Sequence, residues 1–394
     1  MISHRQLFLQ HLAQTTDFPL QLEIVRAEGV YMYTPEGKEI LDLISGIGVS
    51  NVGHRHPKVI KAIKDQADKY LHLMVYGELV QAPQVQLASK LKTTLPEKLD
   101  SVYLVNSGAE AVEGAMKLAK RYTGRAEMVA FKNAYHGSTQ GALSVTGGED
   151  LKRAYRPLLP QIKHLRHNNY ADLDRISCRT ACVILETVQG EAGIRVPDVE
   201  WMKALREKCT YAGALLILDE IQTGFGRTGT FWAFEQFGIE PDIVLCAKGM
   251  GGGMPIGAFI SSSEIMQSFR NDPMLGHITT FGGHPVSCAA ALATLEVLLE
   301  EDLISGVHKK AELFKEKLQH PKIKALRHKG LLMCAEFESF EVLKPVIDTA
   351  IEKGVLTDWF LFCDNSMRIA PPLTISEEEI NKACQIILEA IEEA

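Results

Sequence analysis

Two residues that each close an apolar run could carry chemistry. "PDIVLCAKGMGGGMPIGA" (241–258) ends its run on Lys248 and continues in glycine, and "LDEIQTG" sets Asp219 and Glu220 behind five apolar residues. An ammonium at the end of a buried strand is disfavoured unless paired or neutralised, and burial lowers its pKa, as a Schiff-base lysine requires. An aspartate in the same crevice would pair with a protonated pyridine nitrogen and let that ring accept electrons from a carbanion. Taken singly, Lys248 also reads as a lysine snorkelling from a strand end, and Asp219 as a helix N-cap. Packing does not readily explain two adjacent carboxylates at a strand end.

"LVNSGAEAVEGAMKLAK" is a strand, a turn of small residues and a helix. Ser107, Gly108 and Ala109 would present backbone N–H groups and a hydroxyl at the helix N-terminus, an anion site by geometry and dipole. A capping turn, with Ser107 as N-cap and Glu110 three residues on, is compatible with that role. Neither this stretch nor "GMGGGMPIG" fits GxGxxG, and no GxxxxGK[ST] occurs, so these glycine turns are not dinucleotide or nucleoside-triphosphate loops.

The elements that must position these residues follow from apolar runs. Residues 101–108, 127–137, 181–190, 214–224, 242–249 and 256–262 are short, β-rich and end in polar or glycine residues. Helical spacing separates several of them, at 110–124 and at 199–213, the latter closing on Gly213. Such alternation predicts an α/β fold with a mostly parallel sheet covered by helices on both faces, whose ligands bind beyond the carboxyl ends of the strands. The last hundred residues alternate long helices with short strands and predict a smaller α+β domain. The expected division is 1–45 as an N-terminal segment packing with the small domain, 46–285 as the large domain and 286–394 as the small one. "GVYMYTPEGKEILDLISG" predicts a hairpin turning at "TPEGK".

A chain of 394 residues exceeds the roughly 250–300 at which one core stops growing, so two domains are expected. Hydrophobic residues at 46% and charged residues at 23% are ordinary for a globular protein. The net charge of −7, with scattered basic residues, provides no nucleic-acid groove. No run of 18 apolar residues occurs, and polar residues interrupt the first segment, so neither a membrane span nor a signal core is expected. Eight cysteines without a CxxC read as free thiols in a reducing, cytoplasmic compartment.

Eight motifs in order extend this reading: "GKEILDLISGIGVSNVGHRHP", "NSGAEAVE", "YHGS", "ETVQGEAG", "LDEIQTGFGRTG", "PDIVLCAKGMGGGMPIGA", "TTFGGHP" and "RIAPPL". From about residue 28 to 373 the chain resembles the class-III, pyridoxal-phosphate-dependent aminotransferases of fold type I, in particular the acetylornithine, ornithine and 4-aminobutyrate group. The resemblance implies that Lys248 carries the Schiff base with pyridoxal 5'-phosphate and moves the proton, and that Asp219 pairs with the pyridine nitrogen. It implies that Tyr135 stacks on one ring face, Ile221 packs on the other and Gln222 lies near the ring hydroxyl, with His136 and Glu186 in the same cofactor-binding set. Ser107, Gly108 and Ala109 would hold the phosphate with Thr280 of a second subunit, making the active unit a homodimer. The glycines after Lys248 are expected to let the backbone turn sharply and approach the planar cofactor closely.

For the substrate, the resemblance implies that Arg368 binds an α-carboxylate and that Glu191 pairs with Arg368 when the amine lacks one; an ordinary surface ion pair is the alternative. Many relatives carry arginine after "HG", where this chain has Ser138, and ornithine aminotransferases carry tyrosine where it has Ile47. The expected reaction is transamination from an ω-amine or acylated diamino acid to an oxo acid such as 2-oxoglutarate. A racemase, aminomutase or decarboxylase on the same scaffold, a cofactor-free Schiff-base lyase and an inactive binding protein are the alternatives.

Overall fold

The computed structural model describes residues 3–394; the expected N-terminal segment begins with residues 1 and 2, which lie outside them. The central sheet has seven strands in the order Ser101–Val105, Gly257–Ser261, Ile243–Cys246, Leu215–Asp219, Thr180–Glu186, Glu127–Phe131 and Ile162–Leu165. Six of them arise from the apolar runs read above. The seventh, "IKHL", is an edge strand too short and polar to stand out by hydrophobicity.

Pairing is parallel from Ile243–Cys246 to the far edge, as expected for strands buried along their whole length. Gly257–Ser261 is antiparallel to both neighbours. Residues 247–256, which connect it to Ile243–Cys246, hold only a short 3-10 turn at Lys248–Met250, whereas a parallel return needs a crossover helix. The lysine loop and the reversed strand are therefore one feature.

Alternate side chains along the strands enter opposite layers. Leu216, Leu218 and Val244 pack into a core with Trp201 and Leu205 of the helix Val199–Ala212. Leu215, Ile217 and Ile243 face Val112 and Met116 of the helix Gly108–Thr123. That helix starts on Ser107, whose hydroxyl accepts from the Glu110 N–H, and stops at Gly124 in the left-handed conformation. Gly213, with φ 63°, ends the other helix in the same way.

Beyond the sheet, the helix Pro285–Glu300 packs on Pro57–Ala67 and Ala82–Lys92. A four-stranded antiparallel sheet follows in the order Ala325–Lys329, Leu332–Glu336, Cys363–Ile369, Trp359–Phe360, backed by the helices Phe340–Lys353 and Glu377–Glu393. The hairpin read at the N-terminus is present, with Tyr31–Tyr33 antiparallel to Glu39–Asp42. Val355–Leu356 completes its sheet by pairing in parallel with Glu39–Asp42, tying the first residues to the last quarter of the chain. All eight cysteines are free, with Cys178 exposed and Cys363 half-buried. Among the described residues no helix is long and apolar enough to cross a membrane.

Helix and sheet meet most closely at Gly114, where a Cβ would lie 2.3 Å from Cε1 of Phe259. Phe259 is fully buried and stacks on Tyr103 at 4.7 Å between centroids, so it cannot yield. Gly114→Ala is expected to cost about 1–3 kcal/mol by overpacking, read as a lower denaturation midpoint with an unchanged denaturant slope. An unshifted midpoint would show that this contact is not tight.

Candidate active site

The carboxyl ends of the strands converge on one cavity of about 550 Å³. Strand register sets Glu186 opposite Asp219, each the last residue of its strand. Lys248 enters from the next strand through Ala247, at φ 41°, the left-handed region that a lysine seldom occupies. Of the residues expected at the site, Ser107, Gly108, Ala109, Tyr135, His136, Ser138, Glu186, Asp219, Ile221, Gln222 and Lys248 all line this cavity. Lys248 therefore opens into an internal chamber and does not snorkel from the strand end.

Four expected residues do not line it. Glu191 and Arg368 form a buried bidentate pair, with Nη1 donating to Oε1 at 2.9 Å and Nη2 to Oε2 at 3.0 Å, and their charges act on Lys248. This is no surface pair: Arg368 is 2% exposed. Ile47 lies at φ 66°, ψ 51° in the segment before Val49, which does line the cavity. Thr280 is exposed.

Asp219 is fixed at both oxygens. Oδ2 accepts from His136 Nδ1 at 2.7 Å, and Oδ1 from the Ile221 N–H at 3.0 Å, a local turn and not a helix cap. His136 is buried, and its Nε2 has no hydrogen-bond partner among the described residues. Glu186 accepts from the Tyr135 and Gly190 N–H groups, both at 2.9 Å, so one carboxylate sets the entry of the "YHG" segment and of the "QGE" loop. Burial pushes Glu186 up to about 7, with the His136 charge acting against the shift and Asp219 adding to it. The Tyr135 hydroxyl lies 3.3 Å from Ser138 Oγ.

Glu220, the second carboxylate of "LDE", has a packing role after all. It is fully buried, and it accepts from Thr187 Oγ1 and Thr223 Oγ1 at 2.7 Å and from the N–H groups of Ala233 at 3.0 Å and Phe234 at 2.9 Å. It ties the loop after Asp219 to the turn Ala233–Phe237. Burial pushes it to about 7 against those four donors.

The sharp turn expected of the glycines after Lys248 is present. A Cβ on Gly251 would lie 2.1 Å from the Met254 carbonyl, and one on Gly252, at φ 58°, 2.2 Å from Thr294 Oγ1. The loop is glycine-rich because it turns tightly against its own chain and the helix Pro285–Glu300. Of the glycines from 251 to 253, only Gly253 reaches the cavity.

Charge at Lys248 is set by opposing influences. Burial lowers its pKa, Glu191 raises it, and Arg368 lowers it again. Burial also works against ionised Glu191, but the Arg368 guanidinium overcomes it and holds that carboxyl below its usual range. The lysine is thus held toward its neutral, nucleophilic form.

The donor set fits pyridoxal 5'-phosphate. The first-turn N–H groups of Gly108 and Ala109 lack partners within their own helix, beside the Ser107 hydroxyl. Asp219 offers an acceptor deep in the cavity, and Lys248 an amine between them. Gly257 keeps the anion turn open to this space, since a Cβ there would lie 2.5 Å from the Ser107 carbonyl.

Sequence reasoning passed over Val49, Asn106, Met254 and Pro255, which also line the cavity. Asn106 adjoins the Ser-Gly-Ala turn and donates to Thr279 Oγ1 at 2.9 Å, so its place beside that motif was the available signal. Two cations near Ser138 in sequence, Lys132 and Arg153, are absent from the lining, where Lys248 is the only Lys or Arg among the described residues.

Comparison with known proteins identifies the family. The family model for aminotransferase class-III matches residues 12–391. An acetylornithine aminotransferase of Methanopyrus kandleri is 38% identical over 386 residues, covering 97% of this chain and 96% of that protein. One from Methanosarcina mazei is 40% identical over 380 residues, covering 94% and 91%. Among solved structures, the ornithine aminotransferase of Toxoplasma gondii, described with partial occupancy of PLP at its active site, has a TM-score of 0.91 at 28% identity, covering 98% of this chain and 93% of that one. An (S)-enantioselective omega-transaminase from Thermomicrobium roseum has a TM-score of 0.89 at 29% identity, covering 97% and 96%. With Lys248, Asp219 and the Ser-Gly-Ala turn around one cavity, and with this match over nearly its whole length, the chain belongs to the class-III aminotransferases, pyridoxal-phosphate-dependent enzymes of fold type I.

Proposed function

We propose that this enzyme moves the amino group of an ω-amine, of the acylated diamino acid kind, to an α-oxo acid such as 2-oxoglutarate. The observation that carries this reading is the buried Arg368–Glu191 pair whose charges act on Lys248. A guanidinium with a removable internal partner can receive an α-carboxylate in one half-reaction and be neutralised in the other. The acetylornithine aminotransferases among the relatives support the donor class.

The cofactor supplies an electron sink when bound. Asp219, oriented by His136, would hold a negative charge against its ring nitrogen, and Ser107, Gly108 and Ala109 would receive its phosphate. Tyr135 and Ile221 would flank its ring, with Gln222 near the ring hydroxyl and Glu186 in the same lining. Lys248 Nζ, kept short of a proton by burial, takes the proton from the substrate carbon that bears the amine. Ser138 would border the distal part of the substrate, with Ile47 in the segment before Val49 of the cavity lining.

We also assign a homodimer in a reducing, cytoplasmic compartment. Thr280 is exposed and lies outside its own chain's cavity, which suits a phosphate contact in a second copy. Exposed apolar side chains surround it in sequence at Met274, Leu275, Ile278 and Phe281, and Leu71, Val80 and Val85 form a second exposed set. Such surfaces mark an interface. Eight free thiols suit the compartment.

Lys248→Ala is expected to abolish turnover yet retain cofactor binding, because the phosphate turn and Asp219 do not depend on the amine. Asp219→Ala is expected to lose both affinity and rate. Absorbance spectra and steady-state assays of the two variants check this, and full activity in Lys248→Ala would end the assignment.

Sedimentation at falling concentration is expected to show loss of activity together with loss of the dimer, and Thr280→Ala to weaken cofactor retention at unchanged thermal stability. A fully active monomer would refute the shared site.

Lys248 is the only Lys or Arg among the described residues lining the cavity, so the lining itself offers no second carboxylate clamp beside Ser138. The wild type is expected to separate 2-oxoglutarate from pyruvate by less than about tenfold. Ser138→Arg should favour 2-oxoglutarate by about ten- to a hundredfold, the worth of one charge-assisted pair of roughly 1.5–3 kcal/mol. Arg368→Ala should impair both acceptors. Specificity constants for the two oxo acids decide it; a wild-type preference on the order of several hundredfold would mean that another cation reaches the substrate.

A further inference from the structure

Arg368 is held by two carboxylates from different parts of the chain. Glu191, in the loop after the strand Thr180–Glu186, takes the Nη1–Nη2 edge of the guanidinium. Asp358 takes the other edge, its Oδ1 accepting from Nε at 2.8 Å. The Trp359 carbonyl accepts from Nη2 at 3.3 Å, and the Phe360 ring centroid lies 4.5 Å from Cζ.

Asp358 belongs to the same hairpin as Arg368. Trp359 pairs with Met367 across it, the Arg368 N–H donates to the Asp358 carbonyl at 2.9 Å, and Thr357 Oγ1 donates to the Arg368 carbonyl at 2.6 Å. The ladder thus sets Asp358 across from Arg368, so the two travel together whatever Glu191 does. Glu191 comes from a loop of the central sheet and is also held by the turn of this hairpin, where the Leu361 N–H donates to its Oε2 at 3.2 Å and the Phe362 N–H to its carbonyl at 3.0 Å.

We propose that Asp358 is the positioning residue of the carboxylate site: it holds the Nε edge so that the Nη1–Nη2 edge keeps one direction while Glu191 and a substrate α-carboxylate exchange on it. This rests on the reading of Arg368 as the carboxylate-binding group. A guanidinium presents its donors along fixed edges, so occupying one edge orients the other. A buried guanidinium stripped of all counter-charge is strongly disfavoured, and Asp358 supplies one throughout the exchange. Burial pushes the Asp358 carboxyl up and Arg368 opposes the shift, while Glu191 adds to it. Two carboxylates compete for one cation, so departure of Glu191 strengthens the hold of Asp358.

The test compares half-reactions of the holoenzyme. Asp358→Ala is expected to raise KM for 2-oxoglutarate about tenfold with kcat within about threefold, the effect of one lost charge-assisted hydrogen bond. The half-reaction with N-acetylornithine, whose reacting carbon bears no carboxylate, should change by less than about twofold. Asp358→Asn keeps an acceptor for Nε and should return KM to within about threefold of wild type. Calorimetric titration with succinate, an unreactive dicarboxylate, should weaken in the alanine variant and recover in the asparagine variant. An unchanged KM in Asp358→Ala, or equal losses in both half-reactions, would overturn the proposal. Arg368→Ala in parallel separates the two readings. If it raises KM while Asp358→Ala does not, only the positioning role fails; if it leaves KM unchanged, the carboxylate reading fails and this proposal with it.

Discussion

Keeping the Lys248 amine largely out of water, and yet reactive, is the constraint on which this structure depends. Desolvation drives the group toward neutrality, and nearby charges decide how far. Three carboxylates, Glu191, Asp219 and Glu186, pull the proton back, and Arg368 pushes it away. None of these charges could be buried without partners of its own. Arg368 compensates Glu191, His136 meets Asp219, and backbone N–H groups satisfy Glu186.

The sheet makes that arrangement possible because parallel strands end together. Backbone donors and acceptors are used within the ladder, so the residues just past each strand are free to turn into a common crevice. Register then does fine positioning: Glu186 and Asp219 are Cα partners on neighbouring strands. The reversal at Gly257–Ser261 belongs to the same logic. A short loop carrying Lys248 leaves no room for a crossover helix, so the chain returns antiparallel and presses Gly257 against the Ser107 turn.

The residues proposed to select the substrate come from other elements. Arg368 and Asp358 come from the antiparallel hairpin of the C-terminal quarter, Glu191 from a loop of the central sheet, and Ser138 from the turn after Glu127–Phe131. Chemistry and selectivity thus rest on separate elements. The parts proposed to hold the cofactor are anchored by strands and by Glu220, whereas the proposed carboxylate site joins two sheets through the Arg368–Glu191 pair and the N–H groups of Leu361 and Phe362 that donate to Glu191.

The sequence by itself determined the elements and the chemistry, because both are local. Burial on two faces requires near-continuous apolar strands, and a lysine or aspartate ending one is visible in a short window. So were the Ser107 cap, the Gly213 stop and the turn at "TPEGK". Tertiary structure decided everything that depends on which distant residues meet. It turned Glu220 away from the site to anchor a loop, and it traced the glycines after Lys248 to clashes with Met254 and Thr294. It inserted an antiparallel strand, added the polar edge strand Ile162–Leu165 and set Asp358 against Arg368. An isolated acidic residue before an aromatic pair carries no signal in one dimension. Its partner lies across a ladder whose register depends on the whole hairpin, and only folding brings the two carboxylates to one guanidinium.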